Sequence, residues 1–162
     1  LKIEYHYRKS NENQKQRDCY PLNQETNFKI NKFFRTITKD KNHLSKIINV
    51  KGRDFKIENF YEGVARFSFD DLCDKKLGSE DYINIANVCK HVFISNIPAF
   101  NDLNSNQQLR FITLIDIFYE KNIKLTISCE NNLEHLGSSK LHKETFKLGK
   151  GWLKNFDFKE LD

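Results

Sequence analysis

The sequence predicts a mixed α/β fold: a small antiparallel β-meander followed by a parallel strand–helix–strand unit. Three observations carry that expectation. Lys46–Lys51 and Arg53–Glu58, with Ile47 and Phe55 among them, flank Gly52 as the arms of a hairpin flank its turn. A third such run, Val64–Phe69, follows Gly63. Two apolar runs, Val92–Ser95 and Ile123–Ser128, bracket a long apolar segment from about Ser105 to Lys121. Strand, helix and strand in about 37 residues have the length of a parallel crossover, right-handed by rule.

The chain has 162 residues, enough for one domain, or a large piece of one, with a real core. Its 14 phenylalanines make that core bulky. A hydrophobic share of 38% with 30% charged residues suits a globular protein, not a disordered one. No apolar run approaches membrane-spanning length. The opening Leu1-Lys2-Ile3-Glu4-Tyr5 is neither a signal peptide nor a transit sequence. It enters mid-pattern without Met, so the expectation is a chain that starts inside a larger gene product. The net charge of +5 is 27 bases against 22 acids with no isolated basic block. That describes a solvated lysine-rich surface, with no specific nucleic-acid partner. Four cysteines without a CxxC pair point to free thiols in a reducing, cytoplasmic setting.

Taken in order, residues 1–45 hold an alternating strand at Ile3–Arg8, a polar loop from Ser10 to Arg17, and a helix introduced by Pro21-Leu22-Asn23. Asn23 is its cap, and Ile30, Phe33, Phe34 and Ile37 form a core-facing stripe at helical spacing. Residues 46–69 are the meander, in which Arg66 points opposite its immediate neighbours. Asp70-Asp71-Leu72-Cys73 reads as a solvated turn. Residues 79–130 hold a helix from Glu80 to about Lys90, capped by Ser79 with Glu80 and Asp81 in its first turn, and then the parallel unit. The Ser105–Lys121 helix is apolar nearly all round, which predicts burial on more than one side. In the tail, 131–162, Leu141, Leu148 and Trp152 recur at helical spacing among lysines. Gly149 and Gly151 weaken that segment by about 1 kcal/mol each. A weak surface helix is expected, with a basic membrane-surface helix as the alternative.

Chemistry is sparse. No GxxxxGK[ST] occurs, since the six glycines stand at 52, 63, 78, 137, 149 and 151, so no backbone cradle for a triphosphate is predicted. Val92–Ser95 could lead into a Mg²⁺-binding acid, but Asn96 stands at its end and an amide is a poor ligand. No zinc spacing, HExxH or GxSxG is present. No catalytic, cofactor or metal residue is therefore assigned. Ligands of parallel sheets sit beyond the strand carboxyl ends, here Asn96 and Cys129-Glu130. Arg110, on a mostly buried helix, needs an anionic partner. Either it pairs internally with Asp81 or Asp116, or it projects into a subunit interface. Arg66, Asp81, Arg110 and Asp116 are the candidates for an interface or a structural ion pair.

The pattern GVARFSFDDLC, LGSEDYI, RFITLID and YE between Gly63 and Glu120 resembles the C-terminal half of the ZapE and lactation-elevated-protein (ATPase family gene 1-like) family of AAA+ P-loop ATPases. Glu4-Tyr5-His6-Tyr7-Arg8 is similar to the family's Asp-Tyr-Arg stretch. The resemblance implies a chain that follows an ATPase core, whose parent uses ATP and Mg²⁺ in division or protein quality control. It also implies packing on that core or oligomerisation, and association with the inner membrane periphery or the division ring. Three departures stand out. Asn96 replaces an Asp, and Leu109 replaces the first of a paired Arg-Arg, leaving Arg110. Leu148 and Trp152 replace arginines in the closing F-x-R-T-x-S-R-L. Together with the missing head, they suggest a truncated or decaying gene copy, inactive alone. A stand-alone, non-catalytic α/β interaction module is the alternative.

Overall fold

A computed structural model describes residues 18–155. The elements are β1 (Asp18–Cys19), α1 (Gln24–Thr38), β2 (Lys46–Val50), β3 (Arg53–Ile57), β4 (Asn59–Tyr61), β5 (Val64–Ser68), α2 (Phe69–Cys73), α3 (Ser79–Val88), β6 (His91–Ile97), α4 (Ser105–Glu120), β7 (Lys124–Cys129) and α5 (Lys143–Asn155). The strand expected at Ile3–Arg8 and the loop at Ser10–Arg17 lie outside the described residues. Mixed α/β architecture and the parallel β6–α4–β7 unit are as the sequence predicts. The sheet order is β1-β7-β6-β5-β4, with β1, β7, β6 and β5 parallel to one another and β4 antiparallel to β5.

The meander is corrected. β2 and β3 form a separate two-stranded sheet, while β5 joins the main sheet between β4 and β6. Two tight turns explain the arrangement. Lys51-Gly52 (φ 53° and 77°) and Glu62-Gly63 (φ 49° and 93°) each put two left-handed residues between paired strands, the geometry of two-residue hairpins. The second turn reverses three residues of β4 onto β5, and so short a strand leaves almost no alternation to read.

The register sorts the sheet into two unlike faces. Ala65, Phe67, Val92, Ile94, Leu125 and Ile127 are mutual neighbours across β5, β6 and β7 and belong to the main core. Their alternates are Val64, Arg66 and Ser68, His91, Phe93 and Ser95, and Thr126. On that second face Ile30 and Phe34 of α1 pack on Val64 and Phe93, with Phe34 edge-on to Phe93 at 5.0 Å. The stripe on α1 is thus a core stripe as expected, and Asn23 caps the helix by accepting from the Thr26 N–H at 2.9 Å. Burial of each such side chain contributes roughly 1.5–3 kcal/mol.

On the main-core side α4 buries Phe111, Leu114, Ile115 and Phe118 completely, as its all-round apolar pattern predicts. Asp70–Cys73 is not a loose turn but the body of α2. Ser68 caps it by accepting from Asp71 N–H at 3.1 Å, and Asp71 Oδ2 accepts from Ser68 N–H at 3.4 Å. Partial burial opposes the Asp71 anion, yet these bonds and Lys75 hold its carboxyl below the usual range.

Ser79 is the first residue of α3 and not its cap, which is Gly78. Glycine has no side chain to offer, so the capping acceptor is Asp81 Oδ2, 2.8 Å from the Gly78 N. Asp81 is 5% exposed and its other oxygen pairs with Arg53, tying the β2–β3 hairpin to α3. Replacing Asp81 by Ala removes a charge-assisted bond and a helix cap together. The expected loss is about 2–3 kcal/mol, read as a lower urea midpoint with unchanged slope.

Candidate functional site

Three parallel strands end together at Ser68, Ile97 and Cys129, the edge where sheet ligands ordinarily bind. Each strand end is occupied by the chain's own bonds. Ser68 caps α2. At the end of β6 the register breaks between Ile94 and Ile97, and Asn96 takes φ 67° while its N–H donates to Ser128 Oγ at 2.9 Å. Asparagine tolerates that left-handed conformation well, so Asn96 serves as a bulge residue. Beyond β7, Glu130 Oε2 accepts from Ala99 N–H at 2.9 Å and Glu130 N–H donates to Ile97 O at 2.8 Å.

A seam between two loops then roofs this edge. Phe100 N–H donates to Leu136 O at 2.8 Å and Lys140 N–H to Asp102 Oδ1 at 2.8 Å. Gln108, fully buried on α4, donates to Ser138 Oγ at 2.8 Å and accepts from Ser139 N–H at 3.0 Å. Sequence reasoning passed over Gln108. Its one signal is a polar residue four before Ile112 in an otherwise apolar stripe.

The helix starts on this side repel rather than attract phosphate. Asp70 and Asp71 open α2, and Glu80 and Asp81 open α3, placing acids where an anion would sit. The stretch before α4 is a 3₁₀ turn capped by Asn101 and Asn104. The residues present do not fit Mg-ATP. Among the described residues no group of three or more His, Cys, Asp and Glu could hold a metal ion, and no helix is long and apolar enough to cross a membrane.

The four charged candidates separate. Asp81 belongs to Arg53. Arg110 donates to the Cys73 carbonyl at 3.0 Å, which satisfies the guanidinium on a backbone oxygen at the end of α2 and not on Asp81 or Asp116. Asp116 is exposed on α4. Arg66 is on the second sheet face as predicted, half-buried, with its guanidinium 5.5 Å from the centre of the Phe34 ring. Its Nη2 is 3.5 Å from Ser95 Oγ, and burial pulls its pKa down. Among the described residues no carboxylate pairs with it. The polar row of Arg66, Ser68 and Ser95 beside α1 is therefore the candidate contact surface.

The thiols of Cys73 and Cys89 are free and buried, and Cys129 is buried as well. Burial pushes Cys73 and Cys89 from 9.0 up to about 12, and burial also raises Tyr82. Between pH 9 and 12 the unfolded thiols ionise while the folded ones keep their protons, so stability is complete below pH 9 and falls as pH rises. By pH 10 the expected loss is about 1 kcal/mol per thiol. Urea midpoints at pH 8 and pH 10 check it, and the slope flattens in the Cys73→Ala, Cys89→Ala double variant.

Residues 1–157 match the family described as AFG1-like ATPase. The chain belongs to the AFG1-like ATPase family. It is similar to Lactation elevated protein 1 homolog B of Danio rerio, at 30% identity over 66% of this chain and 22% of that protein. It is also similar to the Cell division protein ZapE of Escherichia coli K12, at 27% identity over 68% of this chain and 29% of that protein. The chain thus aligns with under a third of the length of either relative. No solved structure matches it.

Within this AFG1-like chain, the closing helix is α5, with Phe146 fully buried and Leu153 nearly so. Of the two positions where the resemblance implies arginine, Leu148 is 57% exposed, where a long cation would reach solvent or a neighbour. Trp152 instead stacks on Tyr119 of α4 at 5.6 Å and 11°. The expected weak surface helix is a docked one.

Proposed function

We propose that this chain is the part of an AFG1-like ATPase that follows the ATP-binding core, and that it acts by packing against that core or against a second copy. The carrying observation is a family match running along residues 1–157 in a sequence without a GxxxxGK[ST] loop. The larger protein would bind and hydrolyse ATP with Mg²⁺ in the cytoplasm, and the resemblance implies remodelling of protein partners in division or quality control. The chain alone would not turn ATP over.

The contact is assigned to the second sheet face, where Arg66 has a ring beneath it and, among the described residues, no carboxylate paired with it. Arg66→Glu should leave folding within about 1 kcal/mol, since it removes one half-exposed cation–π contact. It should weaken docking to the ATP-binding portion or self-association at least tenfold, by titration calorimetry or sedimentation.

Two measurements test the reading. An immunoblot of source cells should show a band well above 19.3 kDa, and the purified chain should hydrolyse no ATP. A single band at the chain's own mass, or turnover by the chain, overturns it. A non-catalytic stand-alone module is the second reading, favoured by a core whose Phe93, Phe111, Phe118 and Phe146 are fully buried by the chain itself. A monodisperse monomer supports that reading; concentration-dependent oligomers support the first.

A further inference from the structure

At the opposite edge of the sheet, where β5, β6 and β7 begin, lies a cleft of about 430 Å³. Its apolar wall includes Ile37, Val64, Ala86 and Ile123, and four lysines, Lys41, Lys90, Lys121 and Lys124, stand around it, with Glu62 the one acid among the described lining residues. They come from three separate segments, at 41, 90 and 121–124, so the fold assembles them. Among the described residues Lys41, Lys90 and Lys121 make no ion pair, and Lys121 reaches only the Asn87 amide at 3.4 Å.

Three helices, α1, α3 and α4, end at this cleft, and lysines near helix ends ordinarily just complement the dipole. The magnitudes argue for more. Three helix ends present about half a negative charge each. Even with Glu62 added, the ammonium groups of Lys41, Lys90 and Lys121, unpaired among the described residues, exceed that, and the surplus sits over a concave, largely apolar wall of ligand size.

We propose that this cleft binds a small organic phosphate, with its apolar body on the wall of Ile37, Val64 and Ile123 and its phosphate on the lysines. The site lies at the other end of the strands from the row of Arg66, Ser68 and Ser95 and stands or falls independently of the proposed packing role. It calls for phosphate charge and apolar surface in one molecule, so phenyl phosphate should bind at least threefold tighter than inorganic phosphate. The separation falls within what partial burial of one ring supplies.

The test is a titration of the isotope-labelled full chain with phenyl phosphate, and separately with inorganic phosphate, followed by amide shifts. Saturable shifts at Lys90, His91, Asn122 and Lys124, with Arg66 and Ser68 at the far end of β5 unmoved, support the site. Lys41→Gln with Lys90→Gln should weaken binding about twofold to fivefold per lysine, and Lys90→Arg should largely retain it. These lysines are solvent-facing, so unchanged shifts elsewhere certify that the variants fold. Equal affinity for the two probes, shifts scattered over the surface, or undiminished binding by the double variant would overturn the proposal.

Discussion

Gly137→Ala is expected to lower stability by about 2–4 kcal/mol, while Gly52→Ala costs only about 1 kcal/mol. Both glycines have left-handed φ, 84° and 77°, so the conformational strain of adding a Cβ is similar. What differs is the space. A Cβ on Gly137 would lie 2.6 Å from the Phe100 carbonyl oxygen, whereas one on Gly52 meets nothing within 4 Å. The oxygen belongs to backbone that is paired with Gly137, so relief requires the seam over the strand ends to open. Paired urea titrations check this, and hydrogen exchange at Phe100 and Ser139 should quicken only in the Gly137 variant. Equal losses for the two variants would mean that the close approach is not holding the seam.

Phe146→Ala should cost about 3–5 kcal/mol. The Phe146 ring is fully buried, edge-on to Phe100 at 5.3 Å and 88° and 6.4 Å from Phe111. Such aromatic pairs add to area burial. Lys150 Nζ lies over the Phe146 ring, 5.2 Å from the ring centre. Because α5 contains Gly149 and Gly151, it has little intrinsic helicity to fall back on. Loss of the anchor should therefore melt α5 before the sheet, giving an early transition in the Trp152 fluorescence. A single unshifted transition would show that α5 needs no anchor.

The legible parts of this fold are those with long apolar periodicity. α1, α4, β6 and β7 could be placed because each repeats its signal over several turns or alternations. β4 and α2 could not, since three residues and five residues carry too little pattern, and α2 owes its existence to the reciprocal Ser68–Asp71 cap. The tail misled for a different reason. Glycine and lysine content reports propensity, whereas Phe146 docks the helix by tertiary packing. Arg66 was legible from alternation alone. The partner of Asp81 was not, because Arg53 lies 28 residues away and no local rule links them. The lysine cleft was equally hidden, its lysines coming from three separate segments.

The pairing of β1 with β7 joins Asp18 to Ile127 and Cys19 to Ser128, so one margin of the sheet is completed by residues from opposite ends of the described chain. During synthesis the early segment has no strand to lie against until more than a hundred residues have followed it. Until then β6 also lacks its neighbour β7, and both margins stay open to wrong pairing. A ribosome-stalled chain ending before Leu125 should accordingly need a holding chaperone, while one extended past Cys129 should release it.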